Sequence, residues 1–124
     1  MKVGDYVRTK WGCIAKFEGI NEGVYEFDNI IMDESSAVRE ELLVDIVEKS
    51  SPNIIDLIEV GDVLHYEFYG IDDISMVDKE NNKLGIGWDE DGDWISLKDV
   101  EVKSIVTHEQ FSQMEYRIGE WLYG

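Results

Sequence analysis

Apolar and polar residues alternate along most of this chain in short runs punctuated by glycine, and a period of two predicts strands. Tyr6 to Thr9 puts Val7 and Thr9 on one face, Tyr6 and Arg8 on the other. Trp11-Gly12 predicts a tight turn, the glycine supplying a positive φ. Cys13 to Ile20 follows, with Cys13, Ala15 and Phe17 inward and Lys16 and Glu18 outward. Asn21-Glu22-Gly23 is a second turn signal, and Val24 to Asp28 is a third strand with Tyr25 and Phe27 on one face. Residues 33–43 break the alternation. Ser35 or Ser36 offers a cap there for a short helix whose Val38 and Leu42 share a face. Val44 to Lys49 alternates again, with Val44 and Ile46 inward.

The middle of the chain reads S-S-P-N-I-I-D-L-I-E-V-G-D over residues 50–62. Ser51 as cap and Pro52 in the first turn predict a short helix near 52–58. Its crowded Ile54, Ile55, Leu57 and Ile58 must pack on something else. Strands follow at Val63–Phe68, at Ile71–Asp78 with Ile74 and Met76 inward, and, after a Lys79–Lys83 loop, at Leu84–Trp88. Glycines 85 and 87 on one face of that strand predict close approach by another backbone or ring. Asp89 to Gly92 is a turn, and Asp93–Leu97 pairs back, bringing Trp94 near Trp88. Val100–Val106 is a further strand. Thr107-His108-Glu109-Gln110 is a capping box that opens a helix over 108–113. Met114, Tyr116 and Ile118 then alternate as a last strand, before an apolar tail.

The opening Lys2-Val3-Gly4-Asp5-Tyr6-Val7 reads like Glu59-Val60-Gly61-Asp62-Val63-Leu64, which predicts two similar β units. The expected fold is mainly β: two consecutive small SH3-like barrels or bent sheets with short helices. The units span 1–50 and 59–124, the second more acidic, around a helical joint at 51–58. The first hairpin, V-G-D-Y-V-R-T-K-x-G-x-I-A-K, resembles that of SH3-like barrels, a fold that hosts many unrelated functions.

Charge narrows the function classes. The net charge is −17, with 11 acids and 6 bases in residues 1–50 against 17 and 5 in 51–124. Such a chain repels nucleic acid and anionic membranes and favours basic partners. Its 44% hydrophobic content suffices for a core. Cys13 is the only cysteine, so no intramolecular disulfide forms. Met1 to Asp5 lacks the apolar stretch of a secretory leader, and no run approaches the roughly 20 residues of a membrane span. The single cysteine fits a reducing cytoplasm.

Chemistry-bearing motifs are sparse. Asp89-Glu90-Asp91-Gly92-Asp93 resembles the start of a calcium loop, but Trp94-Ile95-Ser96-Leu97 supplies no later bidentate acid, so an acidic hairpin turn is expected. His65, His108 and Cys13 do not make a four-ligand zinc site. Asp72-Asp73 and Asp56 read as solvated charge among 28 acids. There is no phosphate-cradling glycine loop and no nucleophile elbow. The expectation is a protein that is not an enzyme and uses no cofactor or metal. Trp11, at a turn tip, and Trp121 are candidate interface anchors.

The blocks at 50–62 and at 101–116, E-V-K-S-I-V-T-H-E-Q-F-S-Q-M-E-Y, with the start K-V-G-D-Y-V-R-T-K, resemble a family of small proteins from phages and prophages of Gram-positive bacteria. Members often read V-G-D-Y-V-N-G in the second unit, where this chain has Val60 to Tyr66 as V-G-D-V-L-H-Y. The resemblance implies a phage accessory protein. Joined to the charge, it gives the expectation of an anti-CRISPR-like anti-defence protein. Asp72, Asp73, Asp89, Glu90, Asp91 and Asp93 would block the basic nucleic-acid channel of a host effector nuclease. The alternative is an SH3-like adaptor for a phage structural or replication protein, with Trp11 and Trp121 as contacts.

Overall fold

Ten strands form two antiparallel sheets in the computed structural model, which describes residues 1–88 and 93–114. The first sheet holds β1 (Tyr6–Thr9), β2 (Ile14–Asn21), β3 (Val24–Phe27), β4 (Ala37–Arg39) and β5 (Val47–Ser51), in the order β4-β3-β2-β1-β5. The second holds β6 (Val63–Phe68), β7 (Ile71–Glu80), β8 (Lys83–Trp88), β9 (Asp93–Ser96) and β10 (Glu101–Val106), in the order β10-β6-β7-β8-β9. The two orders are the same once numbered within each unit, and the mainly-β expectation is met. A helical turn precedes the last strand of each: α1 (Glu40–Ile46) in the first and a 3₁₀ turn over Leu97–Asp99 in the second. Another follows it: a 3₁₀ turn over Ile54–Leu57, then α2 (His108–Met114). No helix among the described residues is long and apolar enough to cross a membrane.

The internal repeat is reproduced bond for bond. Gly4 and Gly61 take φ of 96° and 93°. Their amides donate to the carbonyls of Phe17 and Val77, at 2.8 and 3.0 Å. The amides of Phe17 and Val77 donate back to Asp5 and Asp62, both at 2.8 Å. Each aspartate carboxylate accepts the amide three residues before it, Lys2 at 2.9 Å and Glu59 at 2.8 Å. Each unit has its own core. Val7, Ala15, Phe17, Phe27, Ile31, Val38, Leu43 and Ile46 form one, and Ile58, Leu64, Tyr66, Val77, Ile86, Ile95, Leu97 and Val100 the other.

Two-residue hairpins set the registers. Glu22-Gly23, Tyr69-Gly70 and Asn81-Asn82 all have positive φ at both positions, the type I′ geometry that matches strand twist. The expected Lys79–Lys83 loop thereby shrinks to its two asparagines, and β7 runs on to Glu80.

Several expectations are corrected. Ile74 and Met76 point outward, 66% and 59% exposed, because Leu64 pairs with Ser75 and paired residues share a face. The helix expected at 33–43 starts at Glu40, and Val38 lies in β4 instead. At helical spacing Leu43 and Ile46 turn inward, leaving Leu42 exposed and Val44 85% exposed. β5 therefore starts at Val47, and β2 starts after Cys13. Asn53, not Ser51, caps the 3₁₀ turn by accepting the Ile55 amide at 3.1 Å, so Pro52 lies before the cap. Trp94 opposes Gly87 rather than Trp88, and its ring lies against Gly85, where a methyl carbon would come within 2.6 Å of it. Met114 ends α2, and the expected strand through Tyr116 and Ile118 lies outside the described residues.

Tyr66 gives a stability prediction. Its side chain is buried and its hydroxyl has no hydrogen-bond partner among the described residues. Burial, helped by the charge of Asp73 opposite, pushes the hydroxyl pKa up and keeps it neutral. An unpaired buried hydroxyl costs about 1–3 kcal/mol. Tyr66→Phe is expected to raise the urea midpoint, and a fall of the midpoint would show that the hydroxyl is satisfied in solution.

Candidate functional site

A polar node joins the two units. Arg8 belongs to the face of β1 opposite Val7, yet its side chain is 0% exposed. Its Nη1 donates to the Leu57 carbonyl at 2.9 Å and to Asp62 Oδ2 at 2.5 Å. Its Nη2 donates to Asp62 Oδ1 at 2.9 Å and Glu109 Oε1 at 2.6 Å. Glu59 Oε2 lies 3.5 Å from Nε and 2.9 Å from Lys49 Nζ. Asp62 also accepts the His108 amide at 2.9 Å, at the start of α2. One guanidinium thus ties β1 to the joint, the second repeat turn and α2. A planar fork with five donors suits this work, which a lysine could not do. Beside it the Thr107 hydroxyl donates to the Gly12 carbonyl at 2.8 Å. The capping box forms as expected: the Thr107 amide donates to Gln110 Oε1 at 3.1 Å, and the Gln110 amide returns to Thr107 Oγ1 at 3.4 Å.

His108, in the first turn of α2, lies with its Nε2 2.9 Å from Glu59 Oε1 and 3.0 Å from Glu109 Oε1. These three side chains have the donor atoms for a cation. Lys49 and Arg8 already hold both carboxylates, so the trio reads as part of an ion-pair network. Burial alone lowers the Arg8 pKa, but its bonds to Asp62 and Glu109 outweigh that and raise it. Burial alone raises the Glu59 pKa, but hydrogen bonds from His108 and Lys49 and the charge of Arg8 bring it below the usual carboxylate value.

A depressed acid stabilises the fold at pH above its unfolded value, about 4.3, and that stability is lost as pH falls through the folded value. The urea midpoint is therefore expected to drop as pH falls below that range. Glu59→Gln should flatten part of the drop, and an unchanged profile in that variant would remove Glu59 from the account.

The outer face of the second sheet is a further candidate surface, with apolar and acidic residues set in separate rows. The register aligns Val106, Val63 and Met76 in one row, Ser104, His65 and Ile74 in the next, and Glu101, Glu67 and Asp72 in a third. An apolar row and a mixed one thus give way to a row of three carboxylates. Lys103 Nζ bridges Glu67 and Glu101, at 3.2 Å each, and His65 lies 4.0 Å from Asp72. At the hairpin tip Tyr69 is 89% exposed with φ of 52°, its ring edge-on to Phe68 at 4.4 Å. Ile71 beside it is also exposed.

The expected site residues are only partly brought together. Asp72 and Asp73 fall on opposite faces, as consecutive strand residues must: Asp72 pairs with Glu67, Asp73 with Tyr66. Asp93 begins β9 opposite Trp88, while Asp89, Glu90, Asp91 and Trp121 lie outside the described residues. Trp11 is 39% exposed at its turn, with the Lys10 ammonium 5.1 Å from its ring centre. Sequence reasoning missed Arg8, Glu59, Asp62 and Glu109 as a node, and Tyr69, Ile71, Ile74 and Met76 as surface. The repeat was the available signal, since it flagged the Gly61-Asp62 turn and put Arg8 on the face away from the first core. No family model, no curated protein and no solved structure matches this chain.

Proposed function

We propose that this is a binding protein without catalytic chemistry, which grips a basic protein partner with the outer face of its second sheet and the Tyr69 hairpin. The observation that supports this is Tyr69 itself. A bulky residue in the left-handed region costs about 1–2 kcal/mol relative to the ordinary basins. Asparagine or glycine would serve that turn position better. Tyr69 recovers little of this cost by burial, being 89% exposed. Strain kept at an exposed tip points to use, and tyrosine is a common interface anchor.

Beside it, Glu67, Asp72 and Glu101 offer fixed carboxylates to Lys or Arg of the partner. The net charge of −17 would speed such an encounter and make it salt-sensitive. With the resemblance to phage proteins, the specific reading is an anti-CRISPR-like inhibitor in the bacterial cytoplasm that occupies the nucleic-acid channel of an effector nuclease. The exposed Ile74 and Met76 on this face favour a second reading, an adaptor whose contacts are mainly apolar.

Pull-down from a bacterial host lysate, paired with a plasmid-cleavage assay, tests both. Tyr69→Asn creates the favoured Asn-Gly turn, so it is expected to stabilise the fold while weakening capture at least tenfold. Glu67→Lys with Asp72→Lys should abolish capture at low salt. A nuclease retained at full strength by both variants would overturn the proposal. Capture that survives high salt and is lost in Ile74→Ser/Met76→Ser would replace the inhibitor with the adaptor.

A further inference from the structure

We propose that the second unit also carries a binding cleft for a small apolar monocarboxylate, an alkyl or aryl acid. A cleft of about 310 Å³ opens between the joint and the ends of β8 and β9, lined by Ile55, Lys83, Leu84, Ser96, Leu97 and Lys98. Its floor is aliphatic: Leu97 belongs to the second core, and Ile55 and Leu84 pack against it. That fixes the floor, because those side chains cannot move without opening the core. The volume is at the small end of ligand sites, which begin near 300 Å³, so it suits a single apolar group rather than a folded segment.

The cations on its wall and rim select the ligand's head group. This chain carries 11 Lys and Arg against 28 Asp and Glu, so an ammonium here has many carboxylates to choose from. Lys49 and Lys103 do form ion pairs with glutamates. Lys83 and Lys98, like Lys2, Lys10, Lys16 and Lys79, have none among the described residues, and these two are exposed and line this cleft. The ammonium groups of these two cleft-lining lysines, with an aliphatic floor, complement a carboxylate on an apolar body. The Ser96 side chain adds a hydroxyl that can donate to the same oxygens. Screening at physiological salt limits repulsion from the chain's distant acids to a Debye length of about 8 Å, which leaves Glu80, paired with Lys83, and Asp99, next to Lys98, as the acids that oppose the two lysines. The short-range attraction at the rim then decides binding. None of these residues belongs to the partner-binding face, so the cleft stands or falls apart from that reading.

Octanoate is the probe, titrated into the full chain and followed by methyl and amide NMR, with octanamide as the uncharged control. Saturating shifts are expected at Ile55, Leu84 and Leu97. Lys83→Gln/Lys98→Gln should keep the native spectrum and weaken octanoate roughly tenfold, the worth of one charge-assisted hydrogen bond. Octanamide should bind the wild type about as weakly. The proposal is overturned if octanoate gives no saturating shifts at these residues, if octanamide binds equally well, or if the double variant binds as the wild type does. A short peptide ending in leucine that displaces octanoate and binds far more tightly would also overturn it, by reassigning the cleft to a protein C-terminus.

Discussion

Arg8→Ala is expected to lower the unfolding free energy by about 3–5 kcal/mol, the cost of breaking a buried ion pair by removing one partner. That is a large share of the total for a domain of this size, typically about 5–15 kcal/mol. The reason lies in what remains. Asp62 is fully buried and loses its guanidinium partner, and Glu59 and Glu109 lose one of the cations that lie against them. The Leu57 carbonyl loses its side-chain donor. Asp62 would retain only the amides of Glu59 and His108. Urea unfolding followed by circular dichroism measures the loss. Should Arg8→Ala prove too unstable to purify, Arg8→Met, Asp62→Asn and the double variant supply the same information. Their effects should be non-additive by at least about 1 kcal/mol, as for residues in one network. A loss below about 1 kcal/mol in Arg8→Ala, or additive effects in the cycle, would mean that the node contributes little.

Gly12→Ala should cost about 2–5 kcal/mol, from two separable causes. Gly12 has φ of 81°, a conformation that an alanine adopts only at about 1–2 kcal/mol. Its new methyl would also overlap Thr107 Oγ1 and stand 2.8 Å from Glu109 Cβ, adding an overpacking cost of about 1–3 kcal/mol. The clash falls where the first hairpin meets the start of α2, so the Thr107 bond to the Gly12 carbonyl breaks as well. Gly23→Ala is the control, with φ of 78° and nothing near its added methyl. It should show the conformational cost alone. Equal losses in the two variants would show that the contact with α2 is not tight in solution.

Much of the fold could be read without coordinates. Alternation gave nearly every strand, because a sheet with one buried face imposes a period of two on its sequence. The Gly4-Asp5 and Gly61-Asp62 repeat gave two like units, since both turns need a glycine at positive φ and an acid that closes on the residue three before it. Inward residues were read correctly wherever the alternation was clean, as at Ala15, Phe17 and Phe27. At Ile74 and Met76 the choice depended on register. The two-residue Tyr69-Gly70 loop fixes that register, and hydrophobicity argued the other way, because these apolar residues belong to an exposed face.

The sequence by itself determined most strands though not β4, the turn residues, the α2 capping box and the acidity of the chain, all of which depend on neighbours in the chain. The tertiary structure alone decided the rest. Alternation placed Arg8 on the face of β1 away from the first core, where solvent would ordinarily be. The second unit and α2 cover that face, bringing Asp62 from 54 residues away and Glu109 from 101. A local pattern can state which way a side chain points, but not what will be folded against it. The same limit separated Asp72 from Asp73 and lined up Glu67, Asp72 and Glu101, because strand pairing, not adjacency, sets the spacing of charges on a sheet.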